Sequence, residues 1–302
     1  MNWFWLAIIA LLCWSGSDFF SKLGCRDSRD KYSHLKMVTA VGVVMGIHAL
    51  IEIIGGVEIS WNVIITYLPV SLLYILSMTM GYIGLRYIEL SISSPICNAS
   101  GALVAVASLI MGTAEMDHPM QYAAVAMACI GVISLGIVEA SEDEDLRAER
   151  QKASNFKYAK SWLALALPIA YCLLDAAGTF ADSLVLENLN EDSANVAYEL
   201  TFLAAGVFCF IYTVVIKKQP LFIKQEAPKY TGAVFETAGQ LAYIYALSDS
   251  AHVAMSAPII SSYCAVSVLW SRLFLKEKLS WKHYAAIVIT ICGIIIMGVF
   301  DM

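Results

Sequence analysis

The chain has 302 residues, 59% hydrophobic and only 15% charged, with a mean hydropathy of +0.70 and a formal net charge of −6. A soluble domain carries about 25% charged residues, so this composition has too little polar surface to face water on all sides. The acidic balance excludes a nucleic-acid binder, which needs a basic face.

Windows of about 19 residues predict helices over 3–21, 34–54, 62–85, 91–112, 120–138, 161–186, 193–216, 229–247, 252–274 and 282–300. The first opens Met-Asn-Trp-Phe-Trp without a basic stretch or a small-residue cleavage site, so it reads as a retained span rather than a signal. It carries Trp14 and Asp18, four residues apart on one face. The second carries Gly42 and Gly46, small enough for close helix contact, and Glu52 near its far end. The fourth carries Ser94, Pro95, Asn98 and Ser108; its Asn98-Ala-Ser100 matches a glycosylation acceptor by chance, because it lies inside a span. Between the fifth and sixth, residues 140–160 form a solvated linker in which Glu142-Asp143-Glu144-Asp145 precedes five basic residues. The sixth carries Asp175 and Asp182 on a face with Gly178 and Thr179, and the seventh Asn195, Tyr198 and Glu199. The eighth has Glu236, Gln240 and Tyr243 as one stripe, and the ninth Ser256, Pro258, Ser261, Ser262 and Tyr263. Proline near such polar clusters loosens the backbone and turns carbonyls toward a cavity. Trp3, Trp5, Trp61, Trp162 and Trp281, at span ends, are expected in the interfacial belt. Eight scattered cysteines show no CxxC pair and read as small apolar fillers, so neither a metal nor a cofactor is expected.

All 19 Lys and Arg fall at the odd-numbered connections or the span ends beside them. The positive-inside rule then places those connections, including the central linker, in the cytoplasm and both termini outside, in a multi-pass protein of the plasma or inner membrane.

Shifting the sequence by about 162 residues superposes Gly16-Ser17 on Gly178-Thr179 and Tyr122-Ala123-Ala124 on Tyr284-Ala285-Ala286, and brings Cys129 and Gly131 near Cys292 and Gly293. A shift of 163 matches Tyr82 with Tyr245 and Pro95 with Pro258. The expected fold is an all-α membrane protein of ten helices in two repeats, 1–139 and 161–302, joined by the linker 140–160. Five helices per repeat reverse the second copy in the bilayer, a construction that secondary transporters use for alternating access. With this pattern of Pro, small residues and Gly, and with Leu275-Lys276-Glu277-Lys278-Leu279-Ser280 before the last span, the chain resembles the drug/metabolite transporter superfamily, EamA type. The resemblance implies architecture more than substrate. Gly112-Thr-Ala-Glu115-Met-Asp117-His118, the equivalent turn of the first half, lacks the basic residues usual there.

Six acids lie within or at the edges of spans: Asp18, Glu52, Asp175, Asp182, Glu199 and Glu236. An ionised carboxylate near mid-bilayer costs on the order of 3 kcal/mol or more without a partner, and no Lys or Arg lies deep enough to provide one. Asp175, Glu199 and Glu236 are the deepest, while Asp18, Glu52 and Asp182 are expected to reach interfacial water. Trp14, Tyr198, Tyr243 and Tyr263 stand among the acids, and aromatic faces beside carboxylates suit an organic cation. No P-loop, HExxH or GxSxG occurs, so neither ATP use nor an intramembrane enzyme is indicated. The expected function is secondary transport of small metabolites or organic cations around an acidic and aromatic cavity, with protons as candidate coupling ions. Its candidate residues are Asp175, Glu199, Glu236, Asp182, Asp18, Trp14, Asn98, Tyr198, Gln240, Tyr243 and Tyr263. A proton-coupled exporter of neutral amino acids or other neutral metabolites is the alternative, and a homodimer is left open.

Overall fold

Chain crossing hydrocarbon must satisfy its own backbone hydrogen bonds, which a helix does within one segment. The computed structural model describes residues 2–25, 30–87, 90–113, 116, 118–140, 162–274 and 279–300, and these contain helices and no strand. In chain order they form α1 (Trp3–Cys25), α2 (Ser33–Gly55), α3 (Trp61–Tyr87), α4 (Leu90–Cys97), α5 (Ser100–Met111) and α6 (Pro119–Ala140). The second half gives α7 (Trp162–Leu186), α8 (Glu191–Phe210), α9 (Ile223–Leu247), α10 (Val253–Ser261), α11 (Tyr263–Phe274) and α12 (Trp281–Phe300). A π-helical turn, Ile211–Ile216, extends α8, and a 3-10 turn, Ser250–His252, precedes α10. Most of the expected linker 140–160 and residues 275–278 of the last turn lie outside the described residues.

Among the described residues nine segments are long and apolar enough to cross a membrane, with α4–α5 as one broken span and α10–α11 as another. The tenth is α9, whose 25 residues are ample at about 1.5 Å each. It is less apolar because it carries Glu226, Lys229, Glu236 and Gln240, all buried inside the bundle. Apolar side chains face outward instead, as Ile54, Ile110 and Phe208 do.

The most extensive helix contacts join the two halves: α1 with α9, α2 with α8, α3 with α7, α6 with α12, and α5 with α10. Exchanging the first five spans for the last five turns the α1–α9 pair into α7–α3 and α5–α10 into α11–α4, which also touch, and maps the other two pairs onto themselves. Within pairs the chains run antiparallel: Trp14 meets Gly239 while Gly24 meets Lys229. Small residues set the crossings. A Cβ on Gly42 would lie 2.6 Å from the Phe202 carbonyl oxygen and 2.9 Å from Gly206 Cα, and one on Gly293 would lie 2.7 Å from the Ala124 carbonyl oxygen. Gly16 receives the Phe235 ring and Gly178 the Tyr74 ring, so glycines that the repeat aligns perform the same packing in both halves.

One end of the bundle holds both chain termini and the other the ends of α6 and α7 that the linker joins; we call these the terminus end and the linker end. Trp5, Trp61 and Trp281 are exposed near span ends, whereas Trp3 is buried and stacks on His252 at 5.1 Å, which corrects its assignment to the interfacial belt. The Trp162 side chain is outside the described residues. All eight cysteines are free thiols, buried or half-buried.

Candidate functional site

Proline removes an amide donor and disturbs the preceding helical turn. Pro95 and Pro258 each lie shortly before a break, at Asn98–Ala99 in the fourth span and at Ser262 in the ninth. Near each break a side chain turns back to the helix: Asn98 Nδ2 donates to the Ser94 carbonyl at 2.8 Å, and Ser262 Oγ to that of Pro258 at 2.6 Å. The two broken spans touch at Gly101, where a Cβ would sit 2.8 Å from the Ala257 carbonyl oxygen.

Beside the breaks lies a cavity of about 80 Å³, walled by helices of both halves. Asp18 of α1, Asp175 of α7 and Glu236 of α9 line it. Each accepts a hydrogen bond from a serine hydroxyl of another helix: Ser94 to Asp18 at 2.5 Å, Ser100 to Asp175 at 2.7 Å and Ser17 to Glu236 at 2.7 Å. Trp14 lies against the Tyr243 ring at 4.9 Å and edge-on to Tyr263 at 6.0 Å. Tyr198, Asn98 and Gln240 complete the set of sequence-selected residues that meet here. Among the described residues the cavity lining holds no Lys, Arg or His, and the three acids form no ion pair.

Two selected acids lie elsewhere. Glu199, fully buried, faces α2, where His48 Nδ1 is 2.9 Å from its Oε1 and 3.0 Å from its Oε2, and Glu52 approaches the other ring nitrogen at 3.6 Å. Asp182 is also fully buried, which corrects the expectation that it reaches interfacial water. It accepts from Tyr67 at 2.6 Å and Tyr74 at 3.2 Å, while the Tyr243 hydroxyl meets those of Tyr74 and, at 3.0 Å, Thr179. This hydroxyl layer closes the terminus side of the cavity, since Tyr74, Tyr243 and Thr179 also line it. Sequence reasoning passed over His48, Tyr67 and Tyr74. The signals present were the four-residue spacing of His48 and Glu52 and the seven-residue spacing of the two tyrosines, each placing a pair on one helix face.

Fold and cavity together define a multi-pass helical membrane protein with an acidic, aromatic hollow between its two sets of five spans. Residues 162–299 match the EamA-like transporter family, in agreement with the resemblance read from the sequence. No curated protein matches the chain. A crystal structure aligns with a TM-score of 0.67 over 98% of this chain and 96% of that one at 14% identity, which is a likeness of fold.

Proposed function

We propose that the protein is a secondary transporter of small organic cations, coupled to protons, in which two oppositely inserted five-helix halves alternate access to the central cavity. The observation that carries this reading is the trio Asp18, Asp175 and Glu236, which line one cavity with aromatic rings and no basic group among the described residues. Carboxyls so placed need a visiting cation or a proton for compensation. The exchange symmetry of the helix pairs supports inverted halves, and transporters of that build place their site at the repeat interface. Asp182 favours a second reading, an exporter of neutral metabolites in which acids carry only protons, because its partners are tyrosine hydroxyls and it does not itself line the cavity.

Flux of an amine into proteoliposomes under an imposed pH gradient tests the site. Asp18→Asn, Asp175→Asn and Glu236→Gln should each lower it by about tenfold or more, the loss of one charge-assisted contact. Wild-type flux in all three variants rejects the assignment. Transport of neutral metabolites that amines do not inhibit selects the second reading.

A further inference from the structure

Resting on the cation reading, the spacing of the cavity acids points to a narrower class of substrate. We propose that the cavity binds an amine carrying two or more ammonium groups, one engaged by Asp18 and the next by Asp175, with Glu236 facing the chain between or beyond them.

The two aspartates are anchored on opposite sides of the break in the fourth span, Asp18 by Ser94 on α4 and Asp175 by Ser100 on α5. Six residues separate those serines, or roughly 9 Å of helix rise at 1.5 Å per residue. One ammonium cannot bridge anchors that far apart, whereas a diamine whose methylene chain spans the distance can.

Independent of the acids, buried polar groups lining the cavity lack partners, among them the Ser21 and Tyr82 hydroxyls and Gln240 Nε2. Buried polar atoms are normally satisfied, so such orphans mark places where a ligand or its water belongs. The Tyr82 oxygen can accept from an ammonium N–H. Gln240 lies one helical turn from Glu236 on α9, and its amide can serve water carried with the cation. The Trp14, Tyr243 and Tyr263 rings then flank the methylene chain and the charges at its ends.

Titration of the purified full-length protein with 1,6-diaminohexane, 1,2-diaminoethane and 1-aminohexane tests this. The long diamine should bind about tenfold tighter than the chain-matched monoamine, and the short diamine should show no such gain, because it cannot reach both aspartates. In Asp18→Asn or Asp175→Asn the advantage of the long diamine over the monoamine should vanish. Equal binding of long diamine and monoamine by the wild-type protein overturns the proposal and leaves the cation reading standing. Binding of neutral metabolites with no binding of any amine overturns both. The wild-type comparison decides even where a variant fails to fold.

Discussion

Glu199 is a carboxyl without solvent exposure, and its partner on the neighbouring helix is the half-buried His48. Removing the hydrogen-bond partner of a buried carboxyl leaves it unsatisfied, at a cost of about 1–3 kcal/mol. His48→Ala should therefore lower the unfolding free energy in detergent by about 1–3 kcal/mol, read from a denaturant titration, and His48→Ala with Glu199→Leu should recover most of the loss. A single variant as stable as wild type would show that Glu199 draws its compensation elsewhere. Position along a span can be read from sequence, so Glu199, Asp175 and Glu236 stand out as deep acids. The direction in which an acid points depends on how helices rotate against each other, which no single segment encodes. That rotation aims Asp18, Asp175 and Glu236 into one cavity, turns Glu199 toward α2, and shuts Asp182 behind Tyr67 and Tyr74.

The helix crossings depend on absent side chains. At Gly42 the nearest atoms to an added Cβ are backbone atoms of α8, which cannot rotate aside, whereas nothing lies within 4 Å of one at Gly55. Gly42→Leu should separate α2 from α8 and cost about 1–3 kcal/mol, the usual penalty of overpacking, seen as a lower midpoint of thermal unfolding; Gly55→Ala should leave that midpoint unchanged. If both variants melt like wild type, the α2–α8 crossing does not limit stability. The spans themselves were legible because each is one apolar run, but the fourth and ninth were read as unbroken helices with a backbone loosened near Pro95 and Pro258. The start of α9 was not. The sequence pattern begins that helix at 229, but it begins at Ile223 because Glu226 and Lys229 find charged partners inside the bundle. The π-helical turn at Ile211–Ile216 had no signal either, its residues being as apolar as those of the preceding helix.

For the whole molecule, the halves meet in two polar clusters that the alternating-access reading takes as closures on opposite sides of the cavity. On the terminus side is the Tyr67–Asp182–Tyr74–Tyr243 layer. On the linker side Lys36 of α2 lies 2.9 Å from Asp30 and 3.6 Å from Glu226 of α9, and Lys229 lies 3.2 Å from Glu226. The repeat was readable from matched glycines and prolines, but these closures were not, since they form between residues that no repeat aligns. If access alternates, each closure must open while the other holds, so a weaker linker-side cluster should shift the population toward the state open on that side. Cys97 lines the cavity and is buried, which makes it a native reporter of that opening. In Glu226→Gln, alkylation of Cys97 by a water-soluble maleimide, followed by peptide mass spectrometry, should rise on the order of tenfold, the effect of about 1.4 kcal/mol withdrawn from the closed state. An unchanged rate would mean that Lys36, Asp30, Glu226 and Lys229 hold the helix ends together in every state, and that the cavity opens along another seam between the halves.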